Sequence, residues 1–154
     1  MRDAVRAGLE AGAFGFTTSR TNSHKTPTGE MVPSRYSEED ELLGIGMAFK
    51  GLNFGAYGVN SDFDNEETEL AWMTKLAKAT GRPVWFLLTD RPTDGERWER
   101  LMAGVHAARA QGAPLTAQIA GRPVGVMLGI DTALNPFSIR QSWQDLLKIG
   151  RAHV

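Results

Sequence analysis

The chain has 154 residues, 42% of them hydrophobic and 23% charged, with a net charge of −1 and no cysteine. This is the composition of a globular domain long enough to bury a real core. It excludes a disulfide framework and thiolate metal sites, and it offers no basic field for nucleic acid or anionic lipid. No apolar run approaches the ~20 residues of a membrane span, and no signal-like apolar core follows Met1. The expectation is a cytoplasmic protein with neither nucleic acid nor membrane as partner.

A helical pattern runs from Asp3 to Ala11, with Gly12 as its stop. Ala13 to Thr18 reads as a first strand. Ser19 to Tyr36 is a long polar segment rich in Thr, Ser, Pro and Gly, and loops beyond ~12–15 residues are usually functional or disordered. Ser37 is placed to cap a second helix, with Asp40 as partial partner in a capping box. Leu42, Leu43, Ile45, Gly46 and Phe49 supply its inner face. Gly44 and Gly46 weaken it by propensity, so their small size is expected to permit close packing.

Phe54 to Asn60 is a second strand, ending in Asn60-Ser61-Asp62. Asp64 to Thr80 follows as a helix, with Leu70, Met73, Leu76 and Ala77 at helical spacing and Asp64 as the favoured cap. Pro83 to Thr89 is a third strand, Asp94 to Gln111 a helix, and Pro114 to Ile119 a fourth strand. Val124 to Ile130 reads as a fifth strand or a buried loop. Asn135-Pro136 opens a last helix over Phe137 to Leu147.

Strands alternating with helices predict βαβ units, a parallel sheet and the α/β class. Consecutive units of this kind suit a doubly wound sheet or part of an eight-stranded barrel. Thr17-Thr18-Ser19-Arg20 stands where a glycine-rich dinucleotide fingerprint would be, which argues against nucleotide binding. The last six residues, Ile149 to Val154, read as the translation of a common sequencing adapter. Residues 149–154 are therefore expected to be a read-through artefact, and residues 1–148 an internal fragment of a larger domain.

The segment Glu10-Ala11-Gly12-Ala13-Phe14-Gly15-Phe16-Thr17-Thr18-Ser19-Arg20-Thr21 resembles a characteristic stretch of the D-aminoacylase-like amidohydrolases, the N-acyl-D-amino-acid deacylases. His24-Lys25, Gly29-Glu30 and Val32-Pro33 resemble its continuation in one branch. Gly81-Arg82-Pro83, Gly121-Arg122-Pro123-Val124-Gly125 and Asn135-Pro136-Phe137 are similar to the same branch. The resemblance implies an incomplete (β/α)8 TIM-type barrel from a metal-dependent hydrolase that cleaves a linear amide C–N bond. The implied substrates are N-acyl-D-amino acids or related small amides. It implies a zinc ion in the parent enzyme, activating water and polarising the amide carbonyl.

The chain departs from that pattern. Its three histidines, His24, His106 and His153, include no His-x-His pair, and the family's late catalytic aspartate should lie beyond this sequence. No zinc is expected to be held by this fragment alone, which is expected to be inactive, and no catalytic residue is assigned. Six residues are candidates for binding substrate. Arg20 and Arg122 could clamp a carboxylate bidentately. Ser19 could orient substrate through its hydroxyl, and Gln118 could hydrogen-bond an acyl carbonyl. Asp62 follows a strand end, where ligands sit in such folds.

His24, on the long loop, is the candidate metal or substrate ligand. The plainer roles are an ion pair for Arg20, a turn for Ser19, a helix cap for Asp62, polar satisfaction for Gln118 and a surface histidine at 24. His106 lies within a helix and reads as structural. A non-catalytic α/β small-molecule-binding module and another barrel enzyme, such as a carbon–carbon lyase, are the alternatives.

Overall fold

The structure of the chain, a computed structural model, describes residues 1–26, 28–90, 94–123, 125, 127–130, 132 and 135–149. Four strands, β1 (Gly15–Arg20), β2 (Ala56–Ser61), β3 (Val84–Leu87) and β4 (Leu115–Gln118), form one parallel sheet in the order β1-β2-β3-β4. Between and around them run α1 (Arg2–Glu10), α2 (Glu39–Gly46), α3 (Glu66–Thr80), α4 (Arg97–Ala110) and α5 (Gln141–Ile149). The expected α/β class and the alternation of strand and helix are both present. Among the described residues no helix is long and apolar enough to cross a membrane.

Strand order that follows chain order has a geometric consequence. Parallel crossovers are almost always right-handed, so an unreversed 1-2-3-4 order puts every crossover helix on the same face. The burial pattern agrees. Phe16, Tyr57, Val84 and Leu115 share one register level, and Thr18, Val59, Phe86 and Ala117 the next. Tyr57, Val59, Val84, Phe86 and Leu115 are buried among Leu9, Leu42, Phe49, Trp72, Met73, Leu76, Leu101 and Val105 of the helical layer. Alternate residues point the other way. Thr17, Gly58, Trp85 and Thr116 form one level of that second, open face, and Ser19–Asn60 and Leu87–Gln118 its upper edge.

Several boundaries differ from the sequence reading. β1 starts two residues later than expected and extends through Ser19 and Arg20, because both pair in register with Asn60 and Ser61. Ser37 caps nothing: Glu38 is the N-cap of α2, without a side-chain bond. Asn65 caps α3, its side chain accepting from the Thr68 N–H at 3.0 Å, while Asp64 pairs with Arg35. Gly46 does permit close packing, since a Cβ there would sit 2.4 Å from Leu76, but Gly44 meets nothing.

No strand forms among the described residues of 124–130, where Met127, Leu128 and Ile130 are exposed, not buried; residues 124 and 126 lie outside the described set. The last helix begins at Gln141, later than expected, after turns in which Asn135 accepts from the Phe137 N–H and donates to the Ile130 carbonyl. Of the adapter-like segment, Ile149 ends α5 and residues 150–154 lie outside the described residues, as do Arg91 and Pro92.

Two predictions follow from the packing. A Cβ on Gly15 would lie 2.2 Å from the Ala56 carbonyl oxygen, and backbone cannot yield, whereas a Cβ on Gly58 would meet the Trp85 indole on the open face, which can swing outward. Gly15→Ala is expected to lose about 1–3 kcal/mol by denaturant titration, and Gly58→Ala clearly less.

The second concerns acid. Arg100 grips Glu66 bidentately at 2.7 and 2.9 Å, and this hydrogen bonding holds the Glu66 carboxyl below its ordinary value. A depressed folded-state value adds stability above the ordinary carboxylate range, and that stability disappears as pH falls through the depressed value. The difference in Tm between the wild type and Glu66→Gln is therefore expected to be largest near neutrality and to vanish in acid.

Candidate functional site

Strand alternation divides the carboxyl ends of β1 and β2 into two sets. Ser19 and Asn60 belong to the open face, and Arg20 and Ser61 to the helical face. On the helical side, Arg20 donates from Nε to Glu69 Oε1 at 2.9 Å and from Nη2 at 2.8 Å, and also from Nη1 to the Ser37 carbonyl. Glu69 Oε2 accepts from Ser61 Oγ at 3.1 Å and Trp72 Nε1 at 3.2 Å. The Glu69 side chain is only 7% exposed, so these four donors replace the water it gives up. Tyr57 lies in the same layer, and burial, helped by nearby Glu41, pushes its phenol well above the usual range.

On the open side, the loop after β1 folds back over the sheet. Its root is tied by Asp62, whose carboxylate accepts from Thr21 Oγ1 and from the Asn22 N–H, both at 2.7 Å. Arg35 donates to Asn22 Oδ1 at 2.8 Å and to Asp64 at 2.6 Å. A bridge between Lys25 and Met31 closes the far end of the loop. Phe63, next to Asp62, has φ +53, an uncommon conformation for a bulky residue. Its burial against Phe86, with ring centroids 4.9 Å apart, holds it there.

This anchoring returns His24 to the sheet. Its Nδ1 lies 2.5 Å from Ser19 Oγ and its Nε2 3.4 Å from Asn60 Nδ2. Both ring nitrogens thus face neutral polar groups, and which nitrogen carries the proton is set by those partners. Farther along the sheet, at β3 and β4, Pro83, Trp85, Thr116, Ala117, Gln118 and Ile119 border an open, mainly apolar hollow of about 640 Å³. An imidazole between a hydroxyl and a carboxamide, on a sheet that also carries an apolar trough, suits proton exchange with the polar end of a small amphiphilic molecule.

The six candidates fall into different environments. Ser19 and His24 are in contact, and Gln118 shares the face of Ser19 three strands away. Arg20 is committed to Glu69 and faces the helices. Asp62 is committed to the loop. Arg122 is exposed in the segment after β4, with no hydrogen bond among the described residues. His106 is exposed on α4. Two residues were not singled out from sequence. Asn60 stood beside Asp62 in the strand-end triplet, and the period-2 parity of β2 was the available signal. Glu69 looked like an ordinary acidic residue in a helix first turn, and nothing local marked it as buried.

Among the described residues no group of three or more His, Cys, Asp or Glu side chains could hold a metal ion. The donors at the upper edge of the open face are one imidazole, a hydroxyl and two carboxamides, which do not fit a zinc site of the implied kind. No family model, curated protein or solved structure matches the chain.

The two environments separate on mutation. Arg20→Ala leaves Glu69 buried without its ion-pair partner and is expected to cost about 3 kcal/mol. His24→Ala removes an exposed side chain and is expected to change stability by less than about 0.5 kcal/mol. Paired urea titrations check both, and equal losses would contradict this division of roles.

Proposed function

We propose that this chain is the substrate-facing part of a cytoplasmic (β/α)8-barrel amidohydrolase that cleaves a linear amide C–N bond of N-acyl-D-amino acids or related amides. The observation that carries this reading is the Ser19–His24–Asn60 cluster. It lies at the carboxyl end of parallel strands, where barrel enzymes place their chemistry, and an apolar hollow lies farther along the same sheet, at β3 and β4.

The unreversed strand order supports the barrel, since every further unit added in that order curls the sheet around the open face. In this reading the acyl chain lies along Trp85 and Ile119. The amide sits near His24, and Gln118 hydrogen-bonds the acyl carbonyl. Arg122 is the remaining candidate for the substrate carboxylate. Arg20 and Asp62 hold the mouth in shape and do not touch substrate. Because the residues present do not make the implied zinc site, their part in the metal-dependent amide cleavage is substrate handling, and that cleavage is not expected of this chain in isolation.

Sequencing the source DNA across both ends of this frame tests the reading directly. Further β/α units, a His-x-His pair upstream and an aspartate downstream are expected. Binding is the second check. Titration with an N-acetyl-D-amino acid is expected to shift the amide resonances of Ser19, His24, Asn60 and Gln118, with a Kd on the order of 1 mM for a hollow open on one side. A frame that closes without those elements, or ligand-induced shifts confined to the helical face, would refute the assignment.

A further inference from the structure

We propose that Ser19, His24 and Asn60 form a metal-independent acyl-transfer site, with Ser19 as nucleophile toward activated esters of short acyl groups. Two observations carry this beyond substrate handling. Ser19 Oγ and His24 Nδ1 are 2.5 Å apart, closer than two groups merely sharing a surface. Asn60 faces the other ring nitrogen, so the imidazole lies between a hydroxyl and an orienting carboxamide, which is the relation of nucleophile, base and orienter in hydroxyl-based acyl transfer. The hollow bordered by Trp85 and Ile119 lies farther along the sheet, at β3 and β4.

The scaffold beneath is rigid where it must be. Arg20 is locked to Glu69 one residue after Ser19, and Asp62 holds Thr21 and Asn22 two residues before His24. The ring nitrogens take roles inverse to those of the familiar serine triad, in which Nε2 meets the hydroxyl. The requirement is the same: one nitrogen protonated and oriented, the other free to accept. With Asn60 Nδ2 donating to Nε2, the Nδ1 proton points at Ser19 and the hydroxyl is not activated. Turning the Asn60 carboxamide by half a rotation lets Oδ1 accept the Nε2 proton, and Nδ1 then accepts from Ser19.

In that state the Ser19 oxygen bonds to the ester carbonyl carbon as its proton passes to Nδ1. The adduct collapses with cleavage of the C–O bond to the leaving alcohol or phenol, which departs with the proton. Water then attacks the acyl-Ser19 carbonyl and gives its proton to Nδ1. The bond to Ser19 breaks, and the proton returns to the Ser19 oxygen. Ester and water are consumed, and acid and alcohol are formed.

The test uses the 154-residue chain with p-nitrophenyl acetate and EDTA, quenched in acid and read by intact mass and peptide mapping, with far-UV circular dichroism on every variant. An acetyl adduct on Ser19 is expected in the wild type, none at that position in Ser19→Ala, and acylation about 100-fold slower in His24→Gln. Asn60→Asp, which offers Nε2 an acceptor in either orientation, is expected to acylate faster than wild type. The proposal is overturned if the wild type carries no adduct on Ser19, if His24→Gln acylates at the wild-type rate, or if EDTA abolishes the adduct.

Discussion

Glu69 is an acid buried beneath the sheet, and the carboxyl end of β1 is organised around satisfying it. A carboxylate with so little access to water needs donors from every side, and it draws them from Arg20, Ser61 and Trp72. Meeting that need fixes which way Arg20 points. Because side chains alternate along a strand, it also fixes Ser19 on the opposite face. The polar cluster on the open face is therefore a consequence of an ion pair on the other side of the sheet. The desolvation of Glu69 and the orientation of Ser19 are two results of one parity.

The loop between β1 and α2 shows the same economy. Asp62, at the end of β2, binds the root of a loop that leaves β1, so adjacent strands restrain the segment that returns His24 to them. The loop is long and polar, yet its course is set by charge-assisted bonds at the base and by Arg35, which ties its end to its start. A histidine whose neighbours are held in this way can be exposed and still well placed. The open face offers it neutral partners on both ring nitrogens, which suits proton exchange better than the structural pairing that absorbs Arg20.

The alternation of strands and helices was legible in the sequence because period-2 and period-3.6 patterns are local. The extension of β1 through Ser19 and Arg20 was not, because it depends on pairing with Asn60 and Ser61, some forty residues away. For the same reason Arg20 could be read equally as a carboxylate clamp or an ion-pair partner, since only the fold brings Glu69 beneath it. The capping expectations failed at Ser37 and Asp64 through competition. The Ser37 carbonyl is taken by Arg20, Asp64 is drawn to Arg35, and Asn65 was one residue better placed to reach the Thr68 N–H. His24 and Ser19 were visible as chemistry-bearing residues. Asn60 was hidden by its more conspicuous neighbour Asp62, although the two face different partners.

Gly58 lies under the Trp85 indole, in the middle of the open face and at the same level as Thr17 and Thr116. With no side chain at 58, the ring can lie down across the strands in place of standing up from them. The floor of the trough is thus a tryptophan on its side, and its depth is decided by a residue that contributes no atoms to its lining. Any larger residue at 58 would displace the indole from that position. The shape of the open face is therefore written at a position that has no side chain of its own.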